Sequence, residues 1–374
     1  MGDLVLAQRL KKMRESLGLK LTEASQRLGF SSYQILSNIE DGKREVKVSE
    51  LLTFSRVYYC SVDRLLGHEE TDYQVTFVWR NPPQEKRAEI ERDILYRCEQ
   101  YSTLEKLLNR EVKESLIEVP VEDIKTHFKV QQLASQMSKL LSLGRRPAFT
   151  LQKVLEQDFG IKVLYYSFKK GSSVSTVSPQ LGKIIVINKD EVPWRQNFDL
   201  AHELFHLITW NAVVVSQNYH DEEYSNDIER KADIFASALL LPDDEVRSEV
   251  MNRAEITRQL SYSDIVDIAI EFGVSTQALV YRLFHLRFIP SFEEAHEIAK
   301  DVELQALSRQ KRTGKERESE QFIALAIRCL RKGLISRGKF AEFAGIEDRS
   351  DIDDFISERG LMEEEGNSIE IMAS

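Results

Sequence analysis

The pentapeptide His202-Glu203-Leu204-Phe205-His206 sits in an apolar frame, Leu200-Ala201 before it and Leu207-Ile208 after it, and constrains this chain more than any other feature. Residues four apart share one face of an α-helix, so both imidazoles leave the same side of a segment whose composition calls for burial. Two such histidines are either packed core residues or ligands. With 7 His in 374 residues, an HExxH spacing arises by chance in on the order of 1 % of comparable chains. The ligand reading has the stronger claim: His202 and His206 present nitrogens to one zinc ion, and Glu203 points at its water.

A catalytic zinc usually takes three protein ligands and a water, so a third donor is expected downstream. The stretch from Asn226 to Ala236 has helical apolar spacing and carries Glu229 and Asp233, again four apart. Glu229 is the expected third ligand, and Asp233 the acceptor for the free N–H of a ligating histidine. A solvated acidic face is the competing reading, because Glu222, Glu223 and Asp227 come just before; Ala232, Phe235, Ala236 and Leu239 instead put the apolar stripe close to Glu229 and Asp233. Such a site suits hydrolysis of a peptide amide, with Glu203 taking a proton from water and passing it to the leaving amine. A His/His/Glu set accepts manganese as well as zinc. Tyr219, His220 and Tyr224 lie between the two motif helices as candidate oxyanion stabilisers. The β-branched run Lys183 to Asn188 is read as a strand whose exposed edge would pair with an extended substrate. His68, His127, His285 and His296 are read as packing or surface residues.

A second kind of chemistry belongs to the first 67 residues. Short amphipathic segments are punctuated there by Gly18, Gly29 and Gly42, and Leu21 to Phe30 followed by Ser31 to Gly42 has the form of helix, Gly-containing turn, helix. The second helix of such a unit enters the major groove of double-stranded DNA with its N-terminal residues at base edges. Ser32, Tyr33, Gln34 and Asn38 are the expected readers, and Lys43, Arg44 and Lys47 the expected phosphate contacts. Charge supports this division: residues 1–67 hold 11 Lys and Arg against 8 Asp and Glu, leaving a net −13 for the rest of a chain whose total is −10. One small unit binds weakly, so a homodimer is expected.

The longest uncharged apolar stretch near a motif, Leu207 to Tyr219, is 13 residues and polar in its second half, too short to cross a bilayer. Arg9, Lys11, Lys12 and Arg14 follow rather than precede the first apolar run, the wrong order for a secretion signal. Cys60, Cys98 and Cys329 form no C-x-x-C pair. A cytoplasmic address is expected, with no membrane partner.

The chain reads as α+β and mostly helical. Its expected parts are an all-α helix-turn-helix domain (1–67), a linker and connecting helix (68–118), a central zinc domain with a small sheet (119–290) and a helical C-terminal region with an acidic tail, Glu363-Glu364-Glu365 (291–374). The alternating Tyr73 to Phe77 and the Asn81-Pro82-Pro83 breaker mark residues 68–85 as a boundary and short linker. A charged helix is expected from about Gln84 to Leu108, a strand-like run at Ile161 to Phe168, and a second helix-turn-helix-like stretch, Ile265 to Leu286, with a structural role. Residues 303–320 are read as a solvated linker or exposed helix.

Both motif regions resemble known families. Gly29-Phe30-Ser31, Leu36-Ser37-Asn38-Ile39-Glu40 and Gly42-Lys43-Arg44 resemble the Xre/Cro-C1 helix-turn-helix family, although the interval from Gly29 to Glu40 is one residue longer than its commonest form, which leaves the reading positions open by one residue. Arg195 to Leu207, with Glu229-Arg230-Lys231-Ala232-Asp233 and the run to Pro242, resembles the ImmA/IrrE metallopeptidases. That family usually has Gly at the place of Phe205 and Thr at the place of Asp199, departures that bear on packing or substrate fit. The resemblance implies a thermolysin-like zincin core, zinc on two His and one Glu, and cleavage of a protein partner such as a repressor or toxin-like protein in stress, mobile-element or phage-defence regulation. Two alternatives stay open: a DNA-binding regulator or antitoxin whose zincin domain docks or senses with little catalysis, and cleavage in cis within the linker around Asn81 to Arg87.

Overall fold

The computed structural model describes residues 4–68, 75–80, 82–110, 115–210, 222–254, 259–312, 317–346 and 348–359. Tyr73, Gln74, Asn81, Tyr219, His220 and the acidic run at Glu363 lie outside them. The described chain is α+β and mostly helical, and none of its helices is long and apolar enough to cross a membrane. It forms two compact units: Met1–Glu99 with Val112–Glu318, and Gln100–Glu111 with Ser319–Ser374.

The first unit opens with α1 (Leu4–Ser16), α2 (Leu21–Arg27), α3 (Tyr33–Glu40), α4 (Val48–Val57) and α5 (Val62–Leu66). Ser32 caps α3 by accepting from Gln34 N–H at 3.3 Å, and Ser61 caps α5 by accepting from Arg64 N–H at 3.0 Å. These hydroxyls satisfy amides that the helix itself leaves unpaired. Leu10, Leu36, Ile39, Phe54, Tyr58 and Leu65 form the core. Within it the Arg14 guanidinium donates to both carboxylate oxygens of Glu40, at 2.8 and 3.0 Å.

The same unit then contributes β1 (Val78–Arg80), α6 (Arg87–Leu107), α7 (His127–Leu140), α8 (Leu151–Gln157), β2 (Lys162–Tyr166), β3 (Ser173–Ser178), β4 (Gly182–Asn188), α9 (Pro193–Ile208) and α10 (Glu222–Leu240). Helices α11 (Asp243–Ala254), α12 (Tyr262–Glu271), α13 (Thr276–His285), α14 (Phe292–Lys300) and α15 (Val302–Lys311) follow. Helices α12 and α13 are the second helix-turn-helix-like pair, and α15 occupies the stretch read as a linker or exposed helix. The sheet order is β1-β3-β4-β2, with β2 parallel to β4 and the other pairs antiparallel. Helix α9 packs on β3 and β4, and α10 packs on α7 and α9.

Two expectations change here. Strand β4 is interior to the sheet, paired with β3 on one side and β2 on the other, so it has no open edge. Its β-branched residues are those of a central strand buried on both faces. The linker, in turn, is part of the sheet: Val78, Trp79 and Arg80 pair with Ser175, Val174 and Ser173.

The second unit holds α16 (Glu320–Arg331), α17 (Arg337–Ala344), α18 (Ile352–Glu358) and the last turns of α6. Tyr101 and Phe322 rings lie 5.6 Å apart, Phe322 and Phe343 6.0 Å apart, and Cys329 is fully buried.

Candidate metal centre

Helix α9 starts at Val192-Pro193, where the missing proline N–H costs nothing because the first helical amides lack partners. From Gln196 to Ile208 almost every residue is buried, polar ones included. A segment this enclosed needs close neighbours. Gly273 supplies one: its carbonyl accepts from Asn197 Nδ2 at 2.7 Å, its φ is +65°, and a Cβ there would stand 2.9 Å from Asn197 Nδ2. A side chain at 273 would both strain the backbone and push against α9.

The helical register brings the two imidazoles together, and α10 adds the carboxylate. His202 Nε2 and His206 Nε2 lie 3.1 Å apart; His202 Nε2 lies 3.2 Å from Glu229 Oε2 and His206 Nε2 3.2 Å from Glu229 Oε1. Ligands of a tetrahedral zinc at the usual bond lengths stand about 3.3 Å from one another. The two imidazole nitrogens and the Glu229 carboxylate thus fit that ion, and their softness and charge fit zinc or manganese. Among the described residues they are the one group of His, Cys, Asp or Glu so placed. The Nδ1 of His202 lies 2.9 Å from Asp233 Oδ1, which leaves Nε2 facing the donor cluster. His206 Nδ1 is buried with no partner among the described residues.

Glu203 is fully buried on the same helix. Its Oε1 accepts from the Ser173 hydroxyl at 2.6 Å, while Oε2 has no partner among the described residues. One oxygen is held and the other is available for a proton, as a general base requires. Ser173 was not anticipated. The small side chains of Ser173-Val174-Ser175-Thr176-Val177-Ser178 let β3 lie against α9, with Ser173 and Ser175 fully buried.

Arg80 is the second unanticipated residue. Its guanidinium donates to Asp199 Oδ1 at 2.6 Å and to Asp233 Oδ1 at 2.9 Å. Arg195 adds a second cation 3.3 Å from Asp199. Burial pushes the Asp199 carboxyl up to about 6, and the two arginines only partly offset it. Burial alone would lower the His202 imidazole, but Asp233 and Glu229 outweigh it and push it up to about 9. Burial would likewise raise Glu229 and Asp233, yet the histidines bring both below the ordinary carboxylate range. Asp199, marked in the sequence as a departure, is thus the seat of Arg80. Of the three oxyanion candidates only Tyr224 is described, half-buried against the main core.

On α3, Tyr33, Gln34 and Asn38 are exposed and Ser32 is the half-buried cap. They share the start and one side of the helix. Lys43 and Lys47 are exposed; Lys43 bonds Asp41 at 2.8 Å. Arg44 is tied to both oxygens of Glu50, at 3.2 and 2.7 Å, and lies over the Phe30 ring. Of the three expected phosphate cations, it is the one most committed within the fold.

Residues 156–284 match the family described as IrrE N-terminal-like domain, and residues 10–65 match the helix-turn-helix family. No curated protein matches the chain. A solved structure, a Mycobacterium tuberculosis transcriptional regulator, aligns at 16 % identity and a TM-score of 0.32 over 52 % of this chain and 54 % of its own. The chain therefore spans about half the length of that protein.

Proposed function

From a chain whose residues 10–65 match the helix-turn-helix family and whose residues 156–284 match the IrrE N-terminal-like family, we propose a zinc-dependent, site-specific endopeptidase coupled to a DNA-binding domain. Its substrate is a protein partner of repressor or toxin-like kind, its operator is double-stranded DNA, and it acts as a cytoplasmic homodimer. Residues 1–67 bind DNA, 68–118 connect, 119–290 carry the peptidase and 291–374 form the C-terminal helical region.

One observation carries the reading: His202, His206 and Glu229 converge within ligand distance of one another while the adjacent Glu203 keeps a buried oxygen without a partner. A carboxylate oxygen without a partner among the described residues, beside two imidazoles and the Glu229 carboxylate, is the arrangement a general base needs. Zinc held by the three, with manganese as its substitute, supplies Lewis-acid polarisation of a carbonyl and lowers the pKa of water to about 7. The chain does the rest. Glu203 accepts a proton from the attacking water at Oε2 and returns it to the amine nitrogen as the amide bond breaks. Ser173 holds Oε1, so the carboxylate cannot rotate away. Asp233 orients His202 through Nδ1.

The second reading is a regulator or antitoxin whose zincin domain docks or senses with little turnover. The pairing of β1 with β3 beside the site favours it, because the site's own strand edge is already covered. Elemental analysis and cleavage of a co-expressed candidate partner separate the two. The peptidase reading expects about one zinc per chain, weakened in Glu229→Ala, retained in Glu203→Gln, and cleavage abolished in both. A zinc-loaded chain whose regulation in cells is unchanged by Glu203→Gln supports the docking reading.

A further inference from the structure

Arg80 lies directly opposite Ser173 in the antiparallel ladder, and Ser173 is the residue whose hydroxyl holds Glu203. Opposed residues in such a ladder project to the same face of the sheet. Here that face is the one packed by α9, and the Arg80 side chain reaches Asp199 on α9 and Asp233 on α10. Residues 78–80 are therefore an extended strand, hydrogen-bonded beside the candidate base, with one side chain reaching Asp199 and Asp233 next to the donor cluster. A peptide presented to Glu203 along β3 would have to take the same form.

We propose that the edge of β3, together with Asp199 and Asp233, is a substrate subsite for an extended peptide carrying arginine, and that β1 is its intramolecular occupant. The proposal rests on the peptidase reading and deepens it by naming the substrate class. Three features support it. The ladder is three residue pairs long and, among the described residues, β3 is the only strand that pairs with β1, so the strand lies at a sheet edge and depends on its side chains for much of its hold. Asp199 is fully buried and takes cations from two arginines, a setting that selects a guanidinium over a neutral side chain. The strand is also held from its other face, where Trp79 Nε1 donates to Glu91 of α6 at 2.7 Å. The same helix bonds the helix-turn-helix segment through Glu89, which accepts from Arg27 and from the Tyr59 hydroxyl. The occupant is thus fastened to a helix that also contacts the DNA-facing segment.

The test uses the full chain, zinc-loaded and carrying Glu203→Gln so that nothing is turned over, with a fluorescent peptide of residues 75–84 as probe. Two added variants loosen β1: Arg80→Ala removes the guanidinium, and Glu91→Ala removes the Trp79 anchor without touching the site. Apparent affinity scales with the fraction of open sites, so the peptide is expected to bind at least about tenfold more tightly to both variants than to the parent. The same peptide with alanine in place of its arginine is expected to lose that gain. Unchanged peptide affinity in Glu91→Ala, with zinc content intact, overturns the proposal. So does a gain that does not depend on the peptide's arginine. Failure of the peptidase reading looks different: the peptide enters the loosened chain as expected, yet restoring Glu203 yields no cleavage of peptide or partner.

Discussion

Oδ1 of Asp233 is shared: it lies 2.9 Å from His202 Nδ1 and 2.9 Å from the Arg80 guanidinium. The imidazole's orientation therefore depends on a carboxylate that is itself held by a cation from a strand far away in the chain. Replacing Asp233 by Asn keeps the shape and removes the charge. Loss of such an outer partner weakens metal binding by about 10- to 100-fold. Zinc competition against a chelator measures it, and an unchanged affinity would deny Asp233 its orienting role.

Glu203→Gln leaves all three donors in place. Zinc content is expected to be unchanged and partner cleavage to fall by about 10²- to 10⁴-fold, the usual contribution of a general base. Ser173→Ala is expected to slow cleavage as well, with zinc again retained, because Glu203 Oε1 loses its 2.6 Å donor. Timed cleavage of an identified partner reads both.

Asp199 gives the metal-free protein a stability that falls with rising pH. Its folded pKa of about 6 lies above the ordinary value of 3.8. The folded state therefore binds more protons between those values, and the contribution is full below 3.8 and lost as pH climbs through about 6. The span corresponds to at most about 3 kcal/mol. Other carboxylates titrate in the same window, so the check is the difference in urea stability between wild type and Asp199→Asn at pH 4 through 7. A difference that does not change across this range would contradict the raised value.

Arg14 and Glu40 are a buried, doubly bonded ion pair in the helix-turn-helix core. Glu40→Ala strands the guanidinium and is expected to cost about 3–5 kcal/mol, whereas replacing both by apolar residues of similar volume should cost far less. Chemical denaturation followed by a probe in residues 4–66 distinguishes these outcomes.

On DNA, Gln34→Ala is expected to cost about 1–3 kcal/mol on the cognate operator and to relax sequence preference at one position. Lys47→Ala should instead weaken all sequences alike and reduce the salt slope by about one counterion. Salt-titrated binding to cognate and scrambled duplexes separates the two. Equal losses on both sequences for Gln34→Ala would move base reading to a neighbouring position on α3.

Periodicity and spacing were enough for the local parts of this protein. The four-residue intervals of His202/His206 and Glu229/Asp233 need only helices to bring each pair to one face, and α9 and α10 are those helices. The serine caps and glycine turns around α3 are likewise readable, because caps and left-handed turns are decided within a few residues. The long charged helix after the linker, α6, followed from composition in the same way.

What spacing could not reach was pairing between distant segments. The β-branched run at 183–188 suits an edge or a central strand equally well, and only its two neighbours make β4 interior. The serine-rich 173–178 is placed as a strand by its pairing with β4 and β1 and by α9 lying against it. Arg80 had no local reason to belong to the centre. Asp199 and Asp233 stand 119 and 153 residues from it, and a guanidinium finds such partners only when the sheet closes. The sequence alone determined that His202 and His206, and Glu229 and Asp233, each pair on one helix face, since helical geometry is local; that Glu229 reaches the two imidazoles was decided by the packing of α10 on α9. Which strand covers the site and which cation orients its carboxylates was decided by the tertiary structure, because sheet order and long-range ion pairs exist only once the chain has folded.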